Sequence, residues 1–138
     1  MVNIGVSKSL HDMDHTGGAP DQAIRAAVGD ISGIELTGVQ VLVGTYIRPK
    51  KTGGGIILTD KYRDEDLYQG KVGLVLKVAP GAFEDGSDAK FYGFKAKVDD
   101  WVVYRVADSW SLTVNGHHCR IIEDVHLRIR VPNPDMVL

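Results

Sequence analysis

The sequence has little of what several large classes of protein require. It holds a single cysteine, Cys119, which excludes an internal disulfide and favours a reducing compartment. It has no run of about 20 apolar residues that could cross a membrane, and residues 1–15 lack the apolar core of a signal peptide. With 16 basic and 18 acidic residues, the net charge is −2, so no overall positive field would attract nucleic acid. These absences predict a soluble cytoplasmic protein.

Motifs of the common catalytic classes are also missing. The sequence contains no Gly-x-Ser-x-Gly elbow and no Gly-x-x-x-x-Gly-Lys-Ser/Thr phosphate loop. The glycines at residues 53–55 precede three aliphatic residues instead of a Lys-Ser pair and a helix. The acidic run at residues 64–66 is typical of a solvated loop. The sequence therefore predicts a protein that is not an enzyme, with no catalytic residues and no cofactor.

Two groups of histidines raise the question of a metal site. His11 and His15 are four residues apart, and His117, His118 and Cys119 follow one another after a turn. A zinc site needs three or four ligands, and successive residues of a strand face opposite ways. We therefore predict no metal and interpret these histidines as polar surface residues. A small enzyme built on the His/Cys cluster is the weakest alternative.

The chain divides into three parts by composition. Residues 1–35 are predicted to form an N-terminal arm or extension with one short helix, in which Ile24 and Val28 make a single apolar pair that would dock on another surface. Residues 36–131 carry the β-sheet pattern, and residues 132–138 form a C-terminal tail. With 43% apolar residues, this middle part can form one small core.

Alternation of apolar and polar residues predicts several short strands. Asn115-Gly116 is the strongest hairpin signal in the sequence. On the last strand, His126, Arg128 and Arg130 alternate with apolar residues, a pattern typical of a solvent-facing edge or of pairing with a neighbouring subunit. Two long connections, at residues 48–70 and 80–97, interrupt the strands, and connections of this length are usually functional. The pattern predicts an all-β protein, a small barrel or sandwich, with strands near residues 39–47, 71–78, 101–106, 111–114, 118–122 and 125–131.

The first connection contains an apolar tripeptide in polar surroundings. In "TGGGIILTD" (residues 52–60), three glycines precede Ile56, Ile57 and Leu58, and a charged stretch follows. A glycine turn leading into a half-buried strand is one interpretation, but no alternation continues. The favoured interpretation is a mobile loop whose apolar tip enters a groove of a partner. Burying the tip would yield roughly 5–9 kcal/mol and ordering five residues would cost roughly 5–10, so one copy alone would bind weakly.

This loop resembles the mobile loop of the ten-kilodalton co-chaperonins, the GroES type. "KAKVDDWVVYR" (residues 95–105) and "TVNGHHCRIIEDVHLRIRV" (residues 113–131) resemble later strands of the same family, and the resemblance covers residues 36–131. It implies a partly open GroES-like β-barrel with a mobile loop at residues 48–70 and a roof-type hairpin at residues 80–97. It further implies a ring, usually a heptamer, that caps a sixty-kilodalton chaperonin during ATP-dependent folding.

The resemblance also assigns roles within the loop. The aliphatic residues would contact the chaperonin, and the glycines would supply flexibility; these are Ile56, Ile57 and Leu58, and Gly53, Gly54 and Gly55. The chain departs from the family in lacking a Pro-x-x-Asp-Arg motif before the first strand and in its 35 preceding residues. These departures indicate a phage-encoded or specialised member. The alternative is a virion decoration or assembly protein on the same scaffold, with capsid proteins as its partners.

Overall fold

The computed structural model describes residues 20–47, 71–86 and 90–137. Within these ranges the protein is all-β apart from one α-helix and three short 3-10 turns, at Val106–Asp108, Asp124–His126 and Pro134–Val137. This confirms the predicted fold class. The regular elements are α1 (Pro20–Val28), β1 (Gln40–Thr45), β2 (Val72–Val78), β3 (Trp101–Tyr104), β4 (Ser109–Val114), β5 (His117–Glu123) and β6 (Leu127–Val131).

The six strands of the described residues form one antiparallel sheet in the order β4-β5-β1-β2-β3-β6. Strands β4 and β6 are therefore its edges, and they do not pair with each other in the described structure. The register shifts once between Leu42 and Val43 and once between Val103 and Tyr104. Such bulges bend and twist a strand, which helps the sheet to curl. The result is the partly open barrel that the resemblance implied.

The β4–β5 hairpin turns at the predicted dipeptide. Asn115 and Gly116 both have positive φ, at 49° and 89°, which is the conformation of a type I′ turn. Val114 and His117 are the first paired residues on either side. Asparagine and glycine tolerate this region of φ better than other residues, so the local sequence accounts for this turn.

Helix α1 packs on one face of the sheet. Ile24 and Val28 are fully buried there, in a core that also contains Leu42 and Leu76. At the end of the helix, the side-chain amide of Asn115 donates a hydrogen bond to the carbonyl of Val28. The surface on which the predicted helix docks is thus the sheet of its own chain. The domain limits at residues 35 and 131 stay predictions.

The second long connection covers the other face of the sheet. Its Phe83 is buried and packs edge-to-face on Phe91 and Phe94, with ring centroids 5.5 and 5.6 Å apart. The backbone N–H of Phe83 donates to Oδ2 of Asp124 at 2.8 Å. These three phenylalanines therefore complete a second core together with Val43 and Tyr104.

In the described part of the chain, no helix has the length and apolar character needed to span a membrane.

Candidate functional site

The predicted partner-binding loop lies outside the described residues. This holds for all six residues to which a role was assigned: Ile56, Ile57, Leu58, Gly53, Gly54 and Gly55. The structure describes the two points between which this segment runs, Ile47 and Lys71. Since β1 and β2 are antiparallel neighbours, these points lie side by side, and the N–H of Tyr46 donates to the carbonyl of Val72 at 3.1 Å.

The residues on either side of this segment are Tyr46 and Ile47 before it and Lys71 and Val72 after it. We call these four residues the loop base, and several contacts hold them in place. The ring of Tyr46 packs edge-to-face on Trp101 at 5.5 Å, and its hydroxyl donates to Oδ1 of Asp135 at 2.7 Å. On the other side, the carbonyl of Lys71 accepts a hydrogen bond from the N–H of Tyr104 at 3.0 Å. The side chain of Ile47 is fully buried. The segment between residues 48 and 70 therefore starts and ends at points that are well packed.

A buried polar group adjoins the loop base. Oγ1 of Thr45 and Nδ1 of His118 share a hydrogen bond of 2.8 Å, and Nε2 of His117 donates to the backbone carbonyl of Thr45 at 3.2 Å. Both histidines are buried, so the expectation of surface histidines is wrong. The reason is the position of β5, which pairs with both β1 and β4 and has its faces covered by the two cores.

Burial determines the protonation states of the side chains in and around this polar cluster. It lowers the pKa of His118 to about 4, with the nearby positive charge of Arg120 as a smaller cause. Burial also raises the pKa of the Tyr104 hydroxyl well above its usual value and that of the Cys119 thiol to about 12. At neutral pH the imidazole is uncharged and the thiol protonated. Such groups hold structure through hydrogen bonds and packing, and the thiol is a poor nucleophile.

The side chains of His118 and Cys119 point to opposite faces of β5, as neighbours on a strand must. Within residues 20–47, 71–86 and 90–137, no three histidine, cysteine, aspartate or glutamate residues lie close enough together to hold a metal ion. His11 and His15 lie outside those ranges.

A hollow of about 360 Å³ opens beside the β4 edge. Its lining combines the apolar side chains of Leu36, Ile121 and Trp110 with three acidic side chains. The full lining is Glu35, Leu36, Thr37, Gln40, Asp108, Trp110, Ile121 and Glu123. Sequence reasoning did not find it, because it brings together residues from three separate parts of the chain.

Comparison with known proteins identifies the family. The model of the Cpn10 family, described as the chaperonin 10 Kd subunit, matches residues 34–127, well over half of the chain. The protein belongs to the Cpn10 family. The match begins close to the predicted start of the barrel at residue 36 and ends within β6. A search of curated proteins found no match to this chain.

Membership confirms the resemblance on which the sequence interpretation rested. Cpn10 proteins are co-chaperonins and not a family of enzymes, and the family implies ring assembly and partnership with a chaperonin in general. Helix α1 precedes the matched region, yet it contributes Ile24 and Val28 to the first core. An element from outside the matched region thus packs on the matched domain.

Proposed function

We propose that this protein is a co-chaperonin that assembles into a ring and caps a sixty-kilodalton chaperonin, working in the cytoplasm, where it assists ATP-dependent folding. The observation that carries the proposal is the Cpn10 match across the barrel, with the glycine-rich segment inserted between β1 and β2. Its two ends meet at the loop base, so a chain of residues 48–70 would project from one fixed place on each subunit.

The contact itself is assigned to the apolar tripeptide. Ile56, Ile57 and Leu58 would bury their side chains in an apolar groove of the chaperonin, while the preceding glycines, Gly53, Gly54 and Gly55, allow the loop to adopt the bound conformation. Because burial of the tip and ordering of the loop nearly cancel, each loop binds weakly. A weak contact is useful for a cap that has to be released in each folding cycle.

A ring turns these weak contacts into a stable complex. Several identical loops on one ring bind several identical grooves on the partner, so that after the first contact the others form at high effective concentration. We propose a heptamer, as the resemblance implies. The packed loop base supports a ring of identical subunits, because loops that start at the same fixed place on every subunit can match a partner of the same symmetry.

The test is capture of the full-length protein on a chaperonin ring in the presence of ATP or ADP. Wild type is expected to bind, and Ile57→Asp is expected to lose most of its binding because a carboxylate would be buried in an apolar groove. A matched control is Val98→Asp, the same change at a half-exposed position outside the loop. Native mass spectrometry first verifies that both variants assemble like wild type. Equal capture of Ile57→Asp and wild type would contradict the proposal.

The alternative, a virion decoration or assembly protein, predicts that binding by the loop does not depend on nucleotide. A structural protein holds its neighbours permanently, so its contacts would not depend on the nucleotide state of any partner. Binding to a chaperonin that appears with ATP or ADP and is lost without nucleotide favours the co-chaperonin. Stable binding to capsid proteins without nucleotide, together with no binding to chaperonin, would favour the virion role.

A further inference from the structure

The hairpin turn at Asn115 and Gly116 combines a reactive dipeptide with open surroundings. The side-chain amide of an asparagine is lost spontaneously when the next backbone nitrogen attacks it. Glycine, which has no Cβ atom, leaves that nitrogen open to approach. An added Cβ atom on Gly116 would meet no heavy atom within 4 Å, and both residues of the turn are exposed to water. The local sequence and its surroundings therefore favour this reaction at Asn115.

The other asparagines lack this combination. The chain has three of them, and only Asn115 is followed by glycine. Asn133 is followed by Pro134, whose nitrogen carries no hydrogen and cannot form the neutral ring. Asn3, outside the described residues, is followed by Ile4, whose branched side chain hinders the attack. Loss of ammonia should therefore be concentrated at Asn115, and Asn133 provides an internal reference.

The reaction has two steps and consumes one water molecule. In the first step, the backbone nitrogen of Gly116 bonds to Cγ of Asn115 and the Cγ–Nδ2 bond breaks. Ammonia leaves with the proton of the Gly116 N–H, and a five-membered cyclic imide remains. In the second step, water cleaves one of the two C–N bonds of the imide. Cleavage at Cγ gives aspartate, and cleavage at the main-chain carbonyl gives isoaspartate.

The closed turn holds the two reacting atoms apart. The φ angles are 49° at Asn115 and 89° at Gly116, as in a type I′ turn, in which ψ of the first central residue is about 30°. At that ψ the nitrogen of Gly116 lies roughly trans to Cβ of Asn115 across the Cα–C bond. Closure of the ring requires the two atoms to be nearly eclipsed. The ring can therefore form only when the turn opens and the peptide rotates.

The end of helix α1 holds the reactive side chain. The carbonyl of Val28 is one of the last four of the helix, which have no partner inside it. Gly29 follows the helix with a φ of 65°, and Nδ2 of Asn115 donates to the Val28 carbonyl. A Cβ atom on Gly29 would lie 3.8 Å from the same Nδ2, so the hairpin turn and the helix end are in contact. The nitrogen that the reaction removes is thus the one that joins the hairpin to the helix.

We propose that Asn115 is a site of spontaneous deamidation whose rate is controlled by the docking of helix α1, and that the modification frees the end of this helix. While α1 is docked, its Val28 carbonyl holds Nδ2 and the turn stays closed. Each opening of the turn allows the ring to form, and the change persists after the turn closes because ammonia has left. The inference concerns a single chain and does not depend on the proposed chaperonin partnership.

Neither product can restore the contact with α1. Aspartate has no N–H to donate, so the Val28 carbonyl loses its partner, and the new negative charge lies beside the negative end of the helix dipole. Isoaspartate also lengthens the backbone of the turn by one carbon atom. Val114 and His117, the first paired residues, can then no longer be joined by a two-residue turn. The end of α1 should therefore open more often in the modified protein.

The first test measures deamidation in the full-length protein without chaperonin. Samples are incubated in native buffer and in urea at the same temperature and the same mildly alkaline pH, then digested and analysed by mass spectrometry. Asn115 should lose its amide in both, at least about tenfold more slowly in native buffer. Asn133 should stay unchanged. Absence of deamidation at Asn115 in either buffer, or equal rates in the two, would overturn the proposal.

The second test separates docking of α1 from general stability. Val28→Ala and Val102→Ala make the same change at positions that are 1% and 0% exposed, one in the helix and one in β3. Val28→Ala keeps the carbonyl that accepts from Asn115 but weakens the packing of the helix end. At urea concentrations that give both variants the same free energy of unfolding, Val28→Ala should deamidate at least about fivefold faster than Val102→Ala. Equal rates would overturn control by the helix.

The third test follows the helix after modification. Anion exchange separates the deamidated protein, which carries one more negative charge, after a long incubation in native buffer. Hydrogen exchange should be faster in residues 20–29 of the deamidated protein than in the unmodified protein, and unchanged in β2 and β3. Asn115→Asp should reproduce this effect, whereas Asn133→Asp, the same change at a side chain that bonds Asp135 instead, should not. Unchanged exchange in residues 20–29 of the deamidated protein would overturn the proposal.

Discussion

The side chain of Ile24 occupies the space above Gly44. A Cβ atom on Gly44 would lie 2.6 Å from Cγ2 of Ile24, closer than carbon atoms in contact can approach, and 3.3 Å from Cδ1 of Leu76, a tight contact. The absence of a side chain at this position of β1 is therefore what lets helix α1 rest on the sheet. The close packing of the N-terminal helix on the barrel thus depends on this one glycine.

Gly44→Ala should lower the free energy of unfolding by about 1–3 kcal/mol, because the methyl group overpacks a site with no free space. Urea unfolding at a fixed protomer concentration measures the loss. Gly33→Ala is the control: its added Cβ meets no heavy atom within 4 Å. Equal stability of the two variants would contradict the prediction.

The close approach also predicts coupling between the two residues. In an Ile24→Ala background the space above Gly44 opens, so Gly44→Ala should cost less there than in wild type. The double-mutant cycle should give an interaction energy of about 1 kcal/mol or more. Strict additivity would show that the helix does not press on this glycine.

Asn115→Asp should destabilise the protein by about 1–2 kcal/mol. Aspartate keeps the tolerance for positive φ that the turn needs, but it loses the amide that donates to the carbonyl of Val28 and places a negative charge at the end of the helix. Asn133→Asp is the matched control, because Oδ1 of Asn133 only accepts a bond, from the N–H of Asp135 at 2.9 Å. Thermal unfolding of both variants measures the difference, and equal midpoints would contradict the assigned bond.

Stability should fall as the pH is lowered from 7.5 to 5, in part because of His118. Its pKa is about 4 in the folded protein against an ordinary value of 6.5, so the unfolded chain binds the proton first. This contribution is present in full above pH 6.5 and is lost progressively down to about pH 4. At pH 5 the loss should be about 2 kcal/mol. His118→Asn removes the titrating group and should show a correspondingly smaller decline in urea unfolding; an identical decline would contradict the prediction.

Cys119 should react with thiol reagents only when the protein unfolds. It is fully buried, and burial raises its pKa to about 12, so both access and the thiolate fraction are low. We expect labelling in native buffer to be at least about a thousandfold slower than in urea. Because the chain has a single cysteine, the unfolded protein itself is the reference. Native labelling at the unfolded rate would contradict the structure around β5.

Local patterns accounted for much of the fold. The type I′ turn at Asn115 and Gly116 follows from the two residues themselves, since few others accept positive φ at both positions. Helix α1 begins at Pro20, where a missing N–H has no cost. Alternation, the apolar run at residues 101–106 and the Asn-Gly turn together located the strands to within a few residues, because half-buried strands alternate and strands buried on both faces are continuously apolar.

The candidate site was less accessible to sequence reasoning. Burial of His118 depends on β5 lying between β1 and β4, which no local pattern reports. Ile129 is half exposed on β6, an edge strand of the described sheet, and its own sequence does not report this position. In both cases the deciding contacts are with residues distant in the chain.

The sequence by itself determined the family, the β-rich character, the turn at Asn115 and the presence of an apolar tripeptide in a glycine-rich segment. These follow from short-range preferences and from motifs that each lie within a few residues. Only the tertiary structure decided the strand order, the docking of α1 over Gly44 and the hollow beside β4. Those features arise when segments far apart in sequence are brought together, and the free energy that selects them is shared among all the contacts of the core.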